Sequence, residues 1–497
     1  MEIHLPSASL VRRLGPSLLA AVLCALPSSL GAQPLGPLTV CPAGSPPVNL
    51  RPLFSPYGGT GIPLIRRTID TALYPNAKCN DDSPAVIYIR PANAAFNNNP
   101  IVNATSKWVI FLDGGGGCRN ADACLENRWC SGSGQIFDRA GKMSTKGLWA
   151  AIDGTGIFSS NPANHFVDYN MVLVNYCSSD NWIGSQDYVG LPTTAGATYD
   201  IRFQGEAIVN AVIDTLLAGP TAPDADVALG YYPTALPSLA DASLVVLSGE
   251  SAGAGGMRHH MDRLNYDKIV PAATNPNIVV RGLLDAGFAP WLGDPAITWG
   301  AVAGSPSDYR DHLLTNVAPS AQGFWGADDS ALDQSCLDPT WVGAHFLLHG
   351  GSHPEICLDT TYTLLNHITT PTFLRQDIND PLAKDPYVLW SLYPSPDDYW
   401  KAQFDQLVLF GHYSATFGGL ELPDGDSGVQ AINCSQHVAI QTKAGFFDRR
   451  VKGPGLVPRS FHNLVTSWIA GVAKGPEITQ YQFDNAGAGV YTPSHCP

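Results

Sequence analysis

The stretch SLVVLSGESAGAGGMRHHMDRL, residues 243–264, contains the most decisive pattern in the chain. A continuous apolar run, Leu244–Leu247, predicts a strand that is buried on both faces. The strand leads directly into the pentapeptide GESAG around Ser251, and a helix can begin immediately behind it. A serine on such a sharp turn needs small neighbours on both sides, which the glycines supply. The pattern predicts a nucleophilic serine, although a plain glycine-rich turn between a strand and a helix can contain the same letters.

Similar apolar runs recur on both sides of this stretch, with helical patterns between them. The alternation predicts a mainly parallel sheet flanked by helices, as in α/β-hydrolase folds. The apolar spacing from Ile208 to Leu216 predicts a helix that ends at Gly219. Another helix is predicted from Ser395 to Phe410. The predicted strands are Ala85–Ile89, Trp108–Leu112, Met171–Val174, Leu244–Leu247, Ile278–Val280 and Thr372–Leu374.

The first 32 residues have the pattern of a secretory signal peptide. Two arginines precede an apolar run, Leu18–Leu26, and cleavage is predicted after Ala32. The run is shorter than the roughly 20 residues that span a bilayer, so no membrane anchor is expected. Residues 33–497 are predicted to form a single domain. Within it, residues 33–84 are expected to wrap the surface, and residues 286–368 to form insertions that cap the active site.

Composition narrows the classes of function. The formal net charge is −15 and the sequence has no basic run, which argues against nucleic acid as a partner. Of the 11 cysteines, one lies in the predicted signal peptide, and the even remainder in an exported chain indicates disulfides rather than metal ligands. Cys118 and Cys124 are close enough to close one small loop.

A second glycine-rich segment lies upstream of Ser251. The sequence WVIFLDGGGGC, residues 108–118, predicts a strand that ends in four glycines, Gly114–Gly117. Backbone N–H groups of Gly115, Gly116 and Gly117 could bind a developing oxyanion together with the N–H of Ala252. A phosphate-binding loop is the alternative, but the segment lacks the GxxxxGK[ST] pattern.

The residues alone do not identify a base or an acid. With 13 histidines, spacing cannot select one. His349 and His353 lack the HExxH pattern of a zinc site, and His259 and His260 are expected to be packed or surface residues. Candidate acids follow the predicted strand Thr372–Leu374, at Asp377, Asp380 and Asp385.

Several segments, taken in order, resemble the pectin acetylesterase family, which includes an animal extracellular lipid deacylase. The resemblance covers most of the chain after the predicted signal peptide. It rests on CNDDSP at 79–84, the WVIFLDGGGGC segment with Cys124, NYC at 175–177, Arg202 to Gly205, GESAGAGG with MDRL at 261–264, and RGLLDAGF at 281–288.

This resemblance implies the remaining catalytic residues. The family's acid falls on Asp380, with Asp377 in reserve, and its histidine falls on His437 in the NCSQH segment. Asp285 could support the site from a neighbouring strand. The chain departs from the family at Gly117, where a bulky aromatic is usual beside the oxyanion loop, so the acyl pocket is expected to be wider or differently shaped.

The sequence thus predicts a secreted serine carboxylic-ester hydrolase that needs no cofactor and no metal. Ser251 would attack, His437 would act as base, and Asp380 would orient the imidazole. Removal of acetyl groups from a polysaccharide such as pectin is the first expectation for the substrate. Deacylation of a lipid or other small-molecule ester is the alternative. A secreted glycan- or lipid-binding protein without catalysis also remains open.

Overall fold

The fold is taken from a computed structural model of the chain. It describes residues 56–59, 61–96, 99–100, 105–125, 142–228, 235–288, 319–327, 331–337, 357–378, 380, 382, 402–403, 406–407, 410, 427–432, 436–451, 459–471 and 480–482.

A ten-stranded sheet organises these residues, in the spatial order β16-β13-β12-β11-β10-β5-β7-β2-β1-β6. Its strands are β1 (Leu64–Thr68), β2 (Val86–Arg90), β5 (Lys107–Leu112), β6 (Ala151–Ile152), β7 (Asn170–Val174), β10 (Leu244–Glu250), β11 (Val279–Asp285), β12 (Thr372–Asp377), β13 (Gly428–Ile432) and β16 (Gln480–Gln482). Short two-stranded ribbons are formed by β3 (Ala95–Phe96) with β4 (Asn99–Pro100), β8 (Gln186–Pro192) with β9 (Thr198–Phe203), and β14 (Arg450–Val451) with β15 (Arg459–Ser460).

Strands β16 to β7 in this order are all parallel, and the remaining three pair antiparallel at one side. The predicted α/β-hydrolase-like, mainly parallel sheet is therefore confirmed.

Both faces of the central strands are buried, which explains their continuous apolar sequences. Along β5, Trp108, Ile110 and Leu112 enter one apolar cluster. Val109 and Phe111 point into a second cluster on the other face. Burial on two faces removes the alternation of polar and apolar residues that a half-exposed strand would show.

Helices cover the two faces. Residues of α2 and α4 pack in the first cluster, and those of α8 in the second. The helix predicted around Ile208–Leu216 is confirmed as α2. The helices are α1 (Ala121–Cys124), α2 (Gly205–Leu217), α3 (Ala225–Ala228), α4 (Ala252–Arg263), α5 (Val270–Ala272), α6 (Gln334–Leu337), α7 (Thr360–Asn366) and α8 (Phe461–Ile469).

The predicted strands exist, but several bounds were wrong where a charged residue follows the apolar run. The strand predicted to end at Leu374 continues through Arg375 to Asp377, and the one predicted at Ile278–Val280 continues to Asp285. Arg375 and Asp285 are fully buried and form an ion pair with each other. The charged Arg375 therefore does not mark the end of β12, because the carboxylate that pairs with it lies on the adjacent strand β11.

The expectation that residues 33–84 wrap the surface was wrong for the part that the structure describes. β1 pairs antiparallel with β2 and β6 inside the main sheet, and its Leu64 and Ile65 are fully buried. Two arginines in the segment LIRRT interrupt its apolar pattern, so the sequence did not indicate this strand. Both arginines are only partly buried, which fits the position of β1 next to the edge strand β6.

Other predictions concern residues beyond the described ones. The predicted signal peptide lies wholly outside them, so the signal peptide and the single domain 33–497 stay predictions. The helix predicted from Ser395 is described only at positions 402, 403, 406, 407 and 410, all of which are helical. Among the described residues, no helix is both long and apolar enough to cross a membrane.

Three disulfides lie in the described residues. They are Cys79–Cys177, Cys118–Cys124 and Cys336–Cys357. The small Cys118–Cys124 loop was predicted from spacing and is confirmed. Cys79–Cys177 joins two of the motifs that carried the family resemblance, and the backbone N–H of Asn80 donates to the carbonyl of Cys177 beside it.

Removing Cys79–Cys177 should cost more stability than removing Cys118–Cys124. The first closes a loop with a sequence separation of 98 and the second one of 6, so the first restricts the unfolded chain more. Chain entropy gives a difference of about 2 kcal/mol. Urea unfolding of C79A/C177A and of the matched C118A/C124A variant measures it. An equal or larger loss in the second variant would contradict this expectation.

Candidate active site

Ser251 lies on a strained turn between β10 and α4. Its backbone has φ 53° and ψ −122°, which is unusual for a residue other than glycine, and its N–H donates to the carbonyl of Asp285 at 2.9 Å. Gly253 allows the turn to pack closely, because a Cβ at this position would lie 2.0 Å from the carbonyl oxygen of Leu112. The local sequence thus produces the sharp elbow that exposes the serine hydroxyl.

The side chain of His437 lies between Ser251 and Asp380. Its Nε2 is 2.7 Å from Ser251 Oγ, and its Nδ1 is 2.7 Å from Asp380 Oδ2. Asp380 is fully buried and also accepts hydrogen bonds from Gln376 Nε2 and the N–H of Leu382, both at 2.9 Å. These contacts orient the carboxylate toward the imidazole, and the imidazole toward the serine hydroxyl.

The parallel sheet brings these three residues together from distant parts of the chain. Ser251 directly follows β10, Asp380 follows β12, and His437 follows β13. Because the carboxyl ends of parallel strands meet at one edge of a sheet, residues just beyond them converge there. All three predicted residues lie at this edge.

Two buried carboxylates hold the loop that carries His437. Asp285 Oδ2 accepts hydrogen bonds from the N–H groups of Ala439 and Ile440, at 2.6 and 2.7 Å. Asp377 Oδ2 accepts one from the N–H of Gln436 at 2.9 Å. The backbone on both sides of the histidine is therefore attached to the ends of β11 and β12.

Arg375 compensates the charge of these two carboxylates. The guanidinium is fully buried and lies 2.9 Å from Asp285 Oδ1 and 2.5 Å from Asp377 Oδ1. It also donates to the carbonyl of His437 at 3.4 Å. The carboxylate of Asp285 thus contacts the site through hydrogen bonds to the backbone of the histidine loop and through Arg375.

The reserve acid Asp377 and the histidines of α4 make other contacts. The described contacts of Asp377 are with Arg375, Arg449 and the N–H of Gln436. His259 and His260 are packed inside the protein, and burial lowers the pKa of His260 to about 3. His349, His353 and Asp385 lie outside the described residues.

The glycine loop 114–117 runs beside the elbow. A Cβ placed on Gly114 would lie 3.0 Å from the Cβ of Ser251. Ala252 is the first residue of α4, and the first N–H groups of a helix have no acceptor within the helix. Ala252 and the predicted donors Gly115, Gly116 and Gly117 therefore lie on the two segments that adjoin the serine.

A second cluster of charged groups lies under the elbow. Gln441 Nε2 donates to Glu250 Oε1 at 3.0 Å and to Asp113 Oδ1 at 3.2 Å, and Lys142 pairs with Asp113. Gln441 thereby ties the histidine loop to the residues that precede the serine and the glycine loop. Burial raises the pKa of Glu250 well above its usual value, and the nearby carboxylates of Asp113 and Asp285 raise it further.

Sequence reasoning missed the supporting residues. A role for Arg375 could have been predicted, because an arginine directly after a buried apolar run requires a buried partner. Gln441 could not have been found, because a residue's neighbours in a distant segment cannot be read from spacing. In the part of the chain that the structure describes, no group of three or more His, Cys, Asp and Glu side chains is arranged to hold a metal ion.

The sheet, the elbow and the converging side chains define an α/β-hydrolase-like protein. The pectinacetylesterase family model matches residues 64–229. Over these residues the match confirms the resemblance to the pectin acetylesterase family that the motifs indicated. The matched segment contains the glycine loop 114–117 and ends before Ser251, so it says nothing about the three converging residues.

Curated relatives of the chain are named palmitoleoyl-protein carboxylesterase NOTUM. The mouse protein is 30% identical over 212 residues, which are 42% of this chain and 33% of the relative. The Drosophila melanogaster protein is 30% identical over 213 residues, 42% of this chain and 26% of the relative. The matches therefore span about a third or less of the length of these relatives.

Solved structures of the Wnt deacylase Notum from Drosophila share the fold. One crystal form has a TM-score of 0.51 at 19% identity and covers 82% of this chain and 94% of that chain. The other has a TM-score of 0.52 at 18% identity and covers 85% and 98%. At this identity the likeness supports the fold alone.

Replacing Arg375 with methionine should strongly destabilise the protein. It leaves Asp285 and Asp377 buried without their cation, a change that typically costs about 3–5 kcal/mol. Lys268→Met is the control: Lys268 pairs with Asp214 at 2.6 Å, both side chains are partly exposed, and such pairs contribute roughly 1 kcal/mol or less. Urea unfolding compares the two, and equal losses would show that Arg375 has no special structural role.

Glu250→Gln should stabilise the protein increasingly as pH rises. Because the pKa of Glu250 is raised in the folded state, the wild type keeps a proton that the unfolded chain releases. The stabilisation linked to Glu250 is therefore complete below its usual pKa and is lost as pH rises toward the folded-state pKa. The difference in unfolding free energy should therefore grow as pH rises above about 4.3, the usual pKa of a glutamate, by at most about 1.4 kcal/mol per pH unit. A difference that stays constant with pH would contradict this assignment.

Proposed function

We propose that this protein is a secreted serine carboxylic-ester hydrolase in which Ser251 is the nucleophile, His437 the general base and Asp380 the residue that orients the imidazole. The observation that carries the proposal is the position of His437, with one ring nitrogen 2.7 Å from Ser251 Oγ and the other 2.7 Å from Asp380 Oδ2. A hydroxyl, an imidazole and a buried carboxylate in this order are the parts of an acyl-transfer site.

In the first step, Ser251 Oγ attacks the ester carbonyl carbon while its proton passes to His437 Nε2. Asp380 accepts a hydrogen bond from Nδ1–H, which fixes the tautomer with a basic Nε2 and stabilises the imidazolium that forms. N–H groups of Gly115, Gly116, Gly117 and Ala252 bind the tetrahedral oxyanion. Removing one such donor typically costs about 3 kcal/mol of transition-state stabilisation.

In the second step, the carbonyl re-forms and the bond to the alcohol oxygen breaks. His437 gives its proton to this oxygen, and the alcohol leaves an acyl group on Ser251. Water then attacks the acyl-enzyme, its proton passes to His437, and the acid is released as Ser251 Oγ regains a proton. His437 thus acts as base and then as acid in each half of the reaction.

Two classes of ester are proposed as substrates. The first is a short-chain O-acyl ester of a polysaccharide such as pectin, favoured by the match of residues 64–229 to the pectinacetylesterase model. The second is a lipid ester, favoured by relatives that are named palmitoleoyl-protein carboxylesterases. No nucleic acid partner is expected, given the net charge of −15.

Ser251→Ala should abolish hydrolysis of p-nitrophenyl esters by the secreted, oxidised protein. Loss of the nucleophile should lower kcat by on the order of 10⁴ or more, and Asp380→Asn should lower it by a similar factor through the wrong imidazole tautomer. Ser248→Ala is the control, because Ser248 lies buried on the same strand and donates to the carbonyl of Leu283. Its activity should stay close to that of the wild type.

Activity retained in folded Ser251→Ala would overturn the proposed nucleophile. If the folded wild type hydrolysed no ester of any chain length yet bound glycan or lipid, a binding protein without catalysis would replace the hydrolase.

A further inference from the structure

The indole of Trp325 occupies the space beside Gly117. A Cβ built on Gly117 would lie 2.6 Å from Cζ2 of Trp325 and 3.0 Å from its Cη2. We propose that Trp325 is the specificity-determining residue of the site, that its indole bounds the acyl side of the oxyanion loop, and that it restricts the enzyme to short acyl groups. This inference rests on the proposed ester hydrolysis.

Trp325 is held firmly in this position. The indole N–H donates to the carbonyl of Cys118 at 2.6 Å, and the residue is only 6% exposed. Its own carbonyl accepts hydrogen bonds from the N–H groups of Ser185 and Gln186, at 3.0 and 3.1 Å. The indole is thus fixed both to the glycine loop and to the start of β8, and a fixed ring makes a wall of defined shape.

The neighbouring residues fix the segment that carries Trp325. Phe324 stacks on Tyr188 with ring centroids 5.5 Å apart and contacts Phe203 at 5.0 Å. The hydroxyl of Tyr188 donates to the carbonyl of Phe324 at 2.9 Å. Aromatic contacts of this kind are typically worth about 0.5–1.5 kcal/mol beyond burial. Residues 319–327 are therefore packed against the β8–β9 ribbon.

The indole and the glycine are complementary in volume. Gly117 carries no side chain, and the atoms that would collide with one are the outer edge of the Trp325 ring. The resemblance to the family led us to expect a wider or differently shaped pocket where its usual aromatic is missing. An aromatic from a segment 208 positions away along the chain reaches this loop and supplies a bulky wall there.

The glycine loop links this wall to the nucleophile. Gly114, at one end of the loop, adjoins Ser251, and Gly117, at the other end, adjoins the indole. In the proposed mechanism the ester carbonyl oxygen is bound by the N–H groups of this loop. The acyl chain attached to that carbonyl then extends along the loop, and a long chain would meet the outer edge of the indole.

Trp325→Ala should shift acyl preference toward longer chains. The ratio of kcat/KM for p-nitrophenyl octanoate to that for the acetate should rise at least about tenfold, because the atoms facing Gly117 are removed. Trp325→Phe is the milder variant: phenylalanine keeps a packed ring but lacks Cζ2 and Cη2, and it should shift the ratio in the same direction by less. Circular dichroism and thermal unfolding confirm that each variant is folded.

A reciprocal variant tests the contact itself. Gly117→Ala places a Cβ against the indole and should lower kcat/KM for the acetate, and adding Trp325→Phe should restore part of the loss. An unchanged octanoate-to-acetate ratio in both folded Trp325 variants, with turnover still dependent on Ser251, would overturn this inference and leave the proposed function intact. A shift seen only when the alcohol part of the ester is varied would also overturn it. No turnover by wild type would overturn both.

Discussion

The buried interaction of Arg375 with Asp285 and Asp377 is the constraint on which the site depends. Each carboxylate has one oxygen on the guanidinium and the other on backbone N–H groups of the histidine loop. The charges must be buried because they lie at the ends of central strands, and buried carboxylates cost several kcal/mol unless they are paired. Here the pairing that offsets this cost also fixes the backbone that presents His437.

The direction of the parallel strands explains the rest of the site. β10, β11, β12 and β13 are consecutive in the sheet. Asp285 and Asp377 end β11 and β12, and Ser251, Asp380 and His437 lie just beyond the carboxyl ends of β10, β12 and β13. A loop beyond the adjacent β5 brings the glycines to the same edge. Correct pairing of the strands is therefore sufficient to bring these groups to the same edge of the sheet.

Features formed by contiguous residues could be predicted from the sequence, whereas those formed by residues far apart in the chain could not. The elbow around Ser251 was readable because its strand, its glycines and its helix are contiguous. Asp380 and His437 required a family resemblance, since nothing in spacing links residues 186 positions apart. The strand β1 was missed because two arginines interrupt its apolar run. The role of Arg375 was missed because the apolar run of β12 stops before it. Trp325 was missed because its proximity to Gly117 exists only in three dimensions.

The most direct test of the account is to trap the covalent intermediate. The wild-type protein would be mixed with p-nitrophenyl acetate, quenched in acid during the first turnover, and digested for mass spectrometry. The account predicts a burst of p-nitrophenol and an acetyl group on the peptide that contains Ser251, assigned to the serine by fragmentation. Turnover without acetylation of Ser251, or with the acetyl group on another residue, would contradict it.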